Sequence, residues 1–318
     1  MTANKNNKTK KRATATAALK SSQQHEQEER KRDDVDVNDD DEHKKKEQRA
    51  TNSPHEKSMA ILIVLLAFVR LFYRWYNRPH TFISCTDEQA FVKESENYLL
   101  PWEFEKLKKC TMEHPRLENK NALHKSSFAK TRGFVVKFNE EGISSFINHP
   151  DYGDCFGELF KKMRLPDTNA YVFNTLLCEL SEYEEWKNNL TAVGLHLDQT
   201  VGMQGLKADH QFLAHQVNVF YVDVADDMQG GELEVWKYGN GSLKENEYLK
   251  PHKSVKPVVN KLVEFRGDSF HQVKAYHTRA NSQIKRLSIV LEQYKIREEF
   301  MENTIDFLEA LKANMTMM

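Results

Sequence analysis

The distribution of apolar residues divides the chain into regions of different character. No aromatic residue precedes Phe68, and Leu19 is the only leucine or isoleucine before Ile61. Lysine-rich and aspartate-rich blocks alternate in this opening stretch. A segment of this composition cannot bury enough apolar surface to offset its chain entropy. We therefore predict that residues 1–57 are a disordered charged tail.

An uninterrupted apolar run, MAILIVLLAFV, follows the charged stretch and leads into an aromatic segment that ends at Tyr76. Arg70 and Arg74 lie near the end of this segment, where their heads would reach a membrane interface. A spanning helix needs about 20 mostly apolar residues. The pattern predicts a single-pass membrane anchor over residues 58–76, in an endomembrane if the rest of the chain is lumenal. The alternative is a buried or membrane-surface helix, with a cytoplasmic protein.

Helical patterns dominate residues 77–131 and the end of the chain. Thr86-Asp87-Glu88-Gln89 has the capping-box pattern and predicts a helix over residues 87–100 that Pro101 ends. A second helix is expected over residues 102–112, before a polar linker. At the other end, apolar residues at i, i+4 and i+7 predict a helix over residues 298–318, namely Met301, Ile305 and Leu308.

Residues 132–297 instead contain short β-like runs separated by turns. The runs read GFVVKF, NAYVFNTLL, VGLHLD, HQVNVFYVDV, GELEVW, NKLVEF and RLSIVLEQY. Many short strands with helices gathered at the front are typical of a β-sandwich or jelly roll. The sequence thus predicts a mainly β fold with N-terminal supporting helices and a C-terminal helix.

Composition excludes several classes of protein. The formal net charge is −1, which gives no reason to expect a nucleic-acid partner. The chain has 4 cysteines without CxxC spacing. Such sparse cysteines argue against a disulfide scaffold or a zinc ribbon and leave the redox compartment open.

The stretch GLHLDQT places chemistry on a predicted strand. Alternate residues of a strand share a face, so His196 and Asp198 point the same way. Two histidines and one carboxylate form the facial triad of non-haem Fe(II) sites. The best candidate for the third ligand is His271 in FRGDSFHQV. Arg286 opens the apolar strand RLSIVLEQY, and an arginine buried there would need an anion.

The motifs HLD, NVFYVDV, QGGELEVW, FRGDSFHQV and RLSIVLEQY, in this order, resemble the 2-oxoglutarate and Fe(II)-dependent dioxygenases, and most closely their prolyl 4-hydroxylase-like branch. The resemblance covers about residues 132–296 and implies a double-stranded β-helix (jelly-roll) fold. It implies Fe(II) as the metal, 2-oxoglutarate and O₂ as cosubstrates, and ascorbate as an auxiliary reductant. The implied reaction is hydroxylation of an unactivated C–H bond, with release of succinate and CO₂.

Residue by residue, the resemblance implies His196, Asp198 and His271 as the iron ligands. It implies Arg286 as the partner of the distal carboxylate of 2-oxoglutarate, with Arg279 as the alternative. Tyr221 and Ser288 would assist at that carboxylate. Asn174 is expected either to face the pocket or to make a structural hydrogen bond, and residues 199–211 are expected to form a flap over the substrate.

The substrate and the outcome of catalysis stay open at this level. A prolyl residue in a protein or peptide is the first expectation by resemblance, and a small molecule is the alternative. The halogenases similar to this family leave the carboxylate position empty, so Asp198 argues against halogenation. From another class, a membrane-tethered metal-binding module of the same fold without turnover is the competing hypothesis.

Overall fold

The computed structural model of the chain describes residues 54–76, 80–119, 127–128, 130–181, 183–188, 190–199, 210–237, 250–278 and 286–309. Most of the predicted charged tail and most of the predicted flap therefore lie outside the described residues. The chain divides into two compact units, Met1–Tyr76 and Asn77–Met318, and all the described strands belong to the second.

The described residues form helices and strands in a mixed order. The helices are α1 Pro54–Tyr76, α2 Pro101–Met112, α3 Ile143–Ile147, α4 Gly153–Met163, α5 Tyr183–Lys187 and α6 Glu298–Met301. The strands are β1 His80–Phe82, β2 Val92–Ser95, β3 Thr131–Arg132, β4 Val135–Asn139, β5 Ala170–Cys178, β6 Thr191–His196, β7 His210–Phe212, β8 Gln216–Asp223, β9 Gln229–Gly230, β10 Leu233–Trp236, β11 Lys253–Val255, β12 Leu262–Arg266, β13 Phe270–Lys274, β14 Tyr276–His277, β15 Arg286–Tyr294 and β16 Phe307–Glu309.

Two sheets carry most of the second unit. The major sheet is 8-stranded, with the order β16-β4-β5-β15-β8-β12-β2 and with β3 beside β5. The minor sheet is 4-stranded, with the order β11-β10-β13-β6. All pairs within these two sheets are antiparallel, whereas the small pair β1-β7 is parallel. The prediction of a mainly β fold is confirmed at this level.

Strand alternation gives the major sheet two different faces. On β15, Leu287, Ile289 and Leu291 belong to a core cluster that also contains apolar side chains of α2 and α4. Val290, on the opposite face of β15, belongs to a second cluster that also contains Val273 of the minor sheet. One face is therefore covered by helices, while the other faces the minor sheet. The site described below lies on the second face.

Residues 54–76 do form a helix, α1, which begins within the predicted tail at Pro54. In the part of the chain that the structure describes, however, no helix is long and apolar enough to cross a membrane. The predicted single-pass anchor over residues 58–76, and the membrane partner inferred from it, are not supported.

The helix predicted over residues 87–100 is wrong. The segment makes a turn and then the strand β2, which pairs with the major sheet through Val92 opposite Phe265. Gln89, the expected capping residue, instead donates its side-chain amide to the carbonyl of His215 at 3.1 Å. Pairing at the sheet edge thus outweighs the local capping pattern. Pro101 begins a helix rather than ending one, and α2 confirms the helix predicted over residues 102–112.

The C-terminal helix predicted over residues 298–318 is also wrong in its described part. Only the short helix α6 forms, and the chain then extends as β16 along β4, with Phe307 opposite Phe138. Asn139 donates to the Asp306 carboxylate at 3.0 Å and thereby holds this return of the chain. Met301, Ile305 and Leu308, the basis of the helix prediction, fall at the end of α6, in the segment that follows and in β16, and each is only partly buried. Residues 310–318 lie outside the described residues.

One disulfide is present among the described residues, and the spacing of the cysteines did not predict it. Cys110 of α2 and Cys155 of α4 are bonded, with their Cα atoms 5.7 Å apart. The bond joins two of the helices that cover the major sheet. Cys85 and Cys178 are free thiols.

Gly133, between β3 and β4, has a conformation that other residues rarely adopt. Its φ is +132°, and a Cβ there would overlap the carbonyl oxygen of Thr175. We expect Gly133→Ala to lower the free energy of unfolding by about 2–4 kcal/mol, because backbone strain and overpacking each cost about 1–3 kcal/mol. Urea denaturation of the full-length protein measures this change.

Gly157, within α4, provides the matched control. A Cβ on Gly157 would have no neighbour nearer than 3.7 Å. Gly157→Ala should therefore raise the free energy of unfolding by up to about 1 kcal/mol, the gain in helix propensity. Equal stabilities for the two alanine variants would contradict the strain assigned to Gly133.

Candidate metal and cosubstrate site

The three residues of the predicted triad lie together where β6 and β13 pair. His196 ends β6, Asp198 follows it, and His271 lies directly opposite His196 in the strand register. Nε2 of His196 lies 3.5 Å from Oδ1 of Asp198, and Nε2 of His271 lies 3.5 Å from Oδ2. One ligand atom from each residue lies within 4.8 Å of the other two. The distances suit three donors to a single ion.

The second nitrogen of each imidazole contacts a backbone carbonyl. Nδ1 of His196 lies 2.7 Å from the oxygen of Gly194, and Nδ1 of His271 lies 3.2 Å from the oxygen of Ser269. Protons on both Nδ1 atoms leave the Nε2 lone pairs directed at Asp198, as in histidines oriented for metal binding. Burial, and then the nearby His196, lowers the pKa of His271 to about 4. His271 is therefore neutral at physiological pH, the form that binds metal.

Two histidines and one carboxylate fit Fe(II) in the facial arrangement, because they occupy one side of the ion and leave the other free. In this structure the three residues line a cavity between the two sheets, together with strands of the major sheet and Phe128. The donor set and its surroundings thus fit an iron ion with open coordination positions.

The described residues contain one further group with ligand-like spacing, His149, Asp151 and Glu309. Arg116 forms ion pairs with both of its carboxylates, with a nitrogen–oxygen distance of 3.3 Å to Asp151. The guanidinium already compensates the charge that a cation would neutralise. This second group is therefore an ion-pair network that joins β16 to the helices.

Arg286 lies in the same cavity as the triad and is 1% exposed. Its described contacts are neutral: Nη1 lies 3.7 Å from Sγ of Cys178 and 3.4 Å from Oγ of Ser288, and Nη2 lies 3.5 Å from the hydroxyl of Tyr221. No described residue accepts a hydrogen bond from Nε. A buried guanidinium is costly without an anion. Its fork can bind a carboxylate through two hydrogen bonds, so the cavity is suited to a carboxylate ligand.

The assisting residues predicted from the sequence lie beside this guanidinium. Ser288 is two residues along β15 from Arg286, and Tyr221 lies opposite Ser288 on β8. The Arg286 guanidinium also lies over the Tyr221 ring, with Cζ 5.0 Å from the ring centroid. Burial raises the pKa of Tyr221 above its usual value, so its hydroxyl stays protonated and able to donate. Arg279, the alternative to Arg286, lies outside the described residues.

Sequence reasoning missed one contact of Arg286 and one polar residue of the cavity, and it left a second polar residue undecided. Cys178, at the end of β5, contacts Arg286, and Glu292 of β15 lines the cavity beyond Ser288. Asn174 of β5 also lines the cavity, as one of the two earlier alternatives expected. The alternation of side chains along a strand could have identified Glu292 and Asn174, because it places each on the face of its strand that lines the cavity.

The turn before His271 is held by a two-pronged ion pair. Nε and Nη2 of Arg266 donate to the buried Asp268 carboxylate at 3.0 and 2.6 Å. We expect Asp268→Ala to lower the free energy of unfolding by about 1–3 kcal/mol, the typical net value of hydrogen bonds to charged groups. Because the turn leads directly into β13, iron affinity should also fall several-fold. Urea denaturation and anaerobic iron titration measure the two effects.

Glu158→Ala serves as the control for Asp268→Ala, because its exposed ion pair with Lys161 contributes little to stability. It should leave both quantities nearly unchanged. Unaltered iron affinity in Asp268→Ala would show that this ion pair does not position His271.

No protein-family model and no curated protein matches the chain. Its fold is similar to solved structures at low identity. A prolyl-4-hydroxylase from Pseudomonas putida is 13% identical with a TM-score of 0.39, over 66% of this chain and 95% of that one. A 2OG-Fe(II) oxygenase family oxidoreductase from Burkholderia pseudomallei is 12% identical with a TM-score of 0.38, over 72% and 98%.

The viral collagen prolyl hydroxylase of Paramecium bursaria Chlorella virus-1, in complex with 2OG, is 10% identical with a TM-score of 0.34, over 65% of this chain and 96% of that one. Because these TM-scores all lie below 0.5, the function proposed below rests on the geometry of the site itself. That geometry brings the His196-Asp198-His271 group and a buried guanidinium without an acidic partner among the described residues into one cavity.

Proposed function

We propose that this protein is an Fe(II)- and 2-oxoglutarate-dependent dioxygenase that hydroxylates a C–H bond of an organic substrate and releases succinate and CO₂. We further propose that the major and minor sheets together form a double-stranded β-helix around the site. The observation that carries the proposal is the shared cavity of the His196-Asp198-His271 group and Arg286. A metal site alone, or a buried arginine alone, would support a much broader set of functions.

Each residue has a defined task in this proposal. His196, Asp198 and His271 would hold Fe(II), with both Nε2 atoms and the carboxylate as donors. Arg286 would bind the distal carboxylate of 2-oxoglutarate, with Tyr221 and Ser288 donating hydroxyl hydrogen bonds beside it. The iron, when bound, supplies the activation of O₂. The chain supplies orientation, and a largely apolar cavity wall limits the access of water.

A turnover assay on the full-length protein tests the proposal. The protein is loaded anaerobically with Fe(II), 2-oxoglutarate and ascorbate, and succinate is measured after O₂ is added. We expect slow succinate release without substrate and faster release in the presence of a substrate. Proline-rich peptides, which represent the prolyl substrate implied by resemblance, and free amino acids are screened in the same way.

Two other outcomes of this assay would contradict the proposed function. Binding of iron and 2-oxoglutarate without any succinate would indicate a binding module of the same architecture. Absence of 2-oxoglutarate binding to the iron-loaded protein would exclude the proposed function.

A further inference from the structure

The cavity has a second polar end along β15, away from Arg286. Arg286, Ser288, Val290 and Glu292 all line the cavity, as strand alternation requires for every second residue. Glu292 follows Arg286 by six positions, which corresponds to about 20 Å along an extended strand. The guanidinium and the Glu292 carboxyl therefore lie at different ends of the cavity.

Glu292 is a buried carboxyl that makes no ion pair with another described residue. It is 6% exposed, and among the described residues no lysine, arginine or histidine nitrogen lies within 4.0 Å of it. Its contacts are with neutral groups: the Tyr294 hydroxyl donates to Oε2, and Nδ2 of Asn174 lies 3.5 Å from Oε1. Lys137 lies on the same face of the sheet, beyond Val172 of β5 in the register, and its charge acts on the Glu292 carboxyl without an ion pair between them.

Asn174 adds an unused acceptor at the same end. Its side chain is 1% exposed, and Oδ1 receives no hydrogen bond from any described residue. Leaving a buried polar atom without a partner is costly. Nδ2 is turned toward Glu292, so the Oδ1 atom and the Glu292 carboxylate oxygens are acceptors at this end of the cavity. A group that donates several N–H bonds would satisfy both.

Apolar side chains connect this end to the rest of the cavity. Val217 lies opposite Glu292 and Val219 opposite Val290 in the register of β8 and β15. Val217, Val219 and Val290 all line the cavity. A ligand with its donor group at Glu292 would thus place an aliphatic stem against these valines, on the way to the triad.

We infer that the substrate of the proposed oxygenase carries a primary ammonium or guanidinium group on an aliphatic stem, which Glu292 and Asn174 bind. The inference rests on the proposed function and names the substrate class of that same site. Glu292 and Asn174 are specificity residues in this scheme, since they hold the substrate by its charged end while the stem presents a C–H bond to the iron.

Binding of small probes tests this inference. The full-length protein is loaded with Zn(II) and saturating 2-oxoglutarate, and both are first shown to bind. Titration calorimetry then compares n-butylammonium and n-butylguanidinium with the uncharged n-butanol. We expect at least one cation to bind 10-fold or more tightly than the alcohol, and Glu292→Gln to reduce this ratio to less than threefold. Asn174→Leu should weaken binding of the cation several-fold.

Glu264→Gln is the matched control, because Glu264 is also a strand glutamate but pairs with Lys93 away from the cavity. It should keep the wild-type ratio. If Glu292→Gln does not fold, the wild-type ratio and Asn174→Leu decide the question. A wild-type ratio below threefold with zinc and 2-oxoglutarate bound, or an undiminished ratio in Glu292→Gln, would overturn the inference and leave the proposed function intact. Failure of zinc or 2-oxoglutarate to bind would instead refute both.

Discussion

Replacing Asp198 with alanine is expected to lower iron affinity by about 100-fold or more and to abolish succinate formation. Loss of a hydrogen-bond partner outside the metal ligands already costs 10–100-fold, and Asp198 faces both Nε2 atoms at 3.5 Å. Without its carboxylate, two neutral imidazoles would remain as donors from the chain. Anaerobic iron titration and the succinate assay measure the two losses on the same preparation.

The comparison with a matched aspartate makes this result specific. Asp226 is an exposed aspartate in the turn after β8. Asp226→Ala should bind iron and form succinate like the wild-type protein. Iron-dependent turnover in Asp198→Ala would remove the His196-Asp198-His271 group from the mechanism. If Asp198→Ala loses turnover but keeps the wild-type iron affinity, Asp198 is needed for the reaction and not for binding of the metal.

The site was more predictable from the sequence than the fold around it. Alternation in GLHLDQT predicts that His196 and Asp198 point the same way, and the two do lie together, although β6 ends at His196 and Asp198 follows it. His271 required long-range information, since its place opposite His196 comes from the pairing of β6 with β13. That information came from the resemblance of the ordered motifs to the 2-oxoglutarate and Fe(II)-dependent dioxygenases.

The helices at both ends of the β region were harder to predict. The segment before Pro101 has a helix-capping pattern, yet β2 gains hydrogen bonds along β12 that no local pattern reveals. The same holds for β16, which covers the edge strand β4. Local propensity is a weak guide where an unpaired sheet edge competes for the same residues. The Cys110–Cys155 bond likewise depends on how α2 and α4 pack.

Glu292 illustrates a different limit of sequence reasoning. In RLSIVLEQY, Glu292 is an even number of residues from Arg286, so the sequence predicts that both side chains lie on the same face of the strand. The sequence does not predict what surrounds the Glu292 side chain. Burial, and then the charge of Asp198, raises its pKa well above the usual value for glutamate. Such a shift arises from the packing of two sheets, and residues with strongly shifted pKa values often mark functional sites.

Replacing Arg286 with methionine is expected to weaken 2-oxoglutarate binding by about 100-fold while iron affinity changes little. Truncating one partner of a buried hydrogen-bonded charge pair costs about 2–5 kcal/mol, and each 1.4 kcal/mol corresponds to about a factor of ten. The 2-oxoglutarate affinity of Arg286→Lys should lie between those of the wild type and Arg286→Met, because lysine keeps the charge but lacks the planar fork. Isothermal titration of 2-oxoglutarate into the Zn(II)-loaded protein measures the affinities.

Arg286→Met weakens cosubstrate binding but is expected to stabilise the ligand-free protein. Arg286 is 1% exposed, and its described partners are neutral, so its burial costs desolvation free energy that no described anion offsets. Arg286→Met should therefore raise the Tm of the ligand-free protein and abolish the further rise that 2-oxoglutarate gives the wild type. Arg132→Met, which removes a half-buried arginine paired with Glu179, should change neither. A 2-oxoglutarate-dependent rise in Tm that persists in Arg286→Met would show that the cosubstrate binds elsewhere.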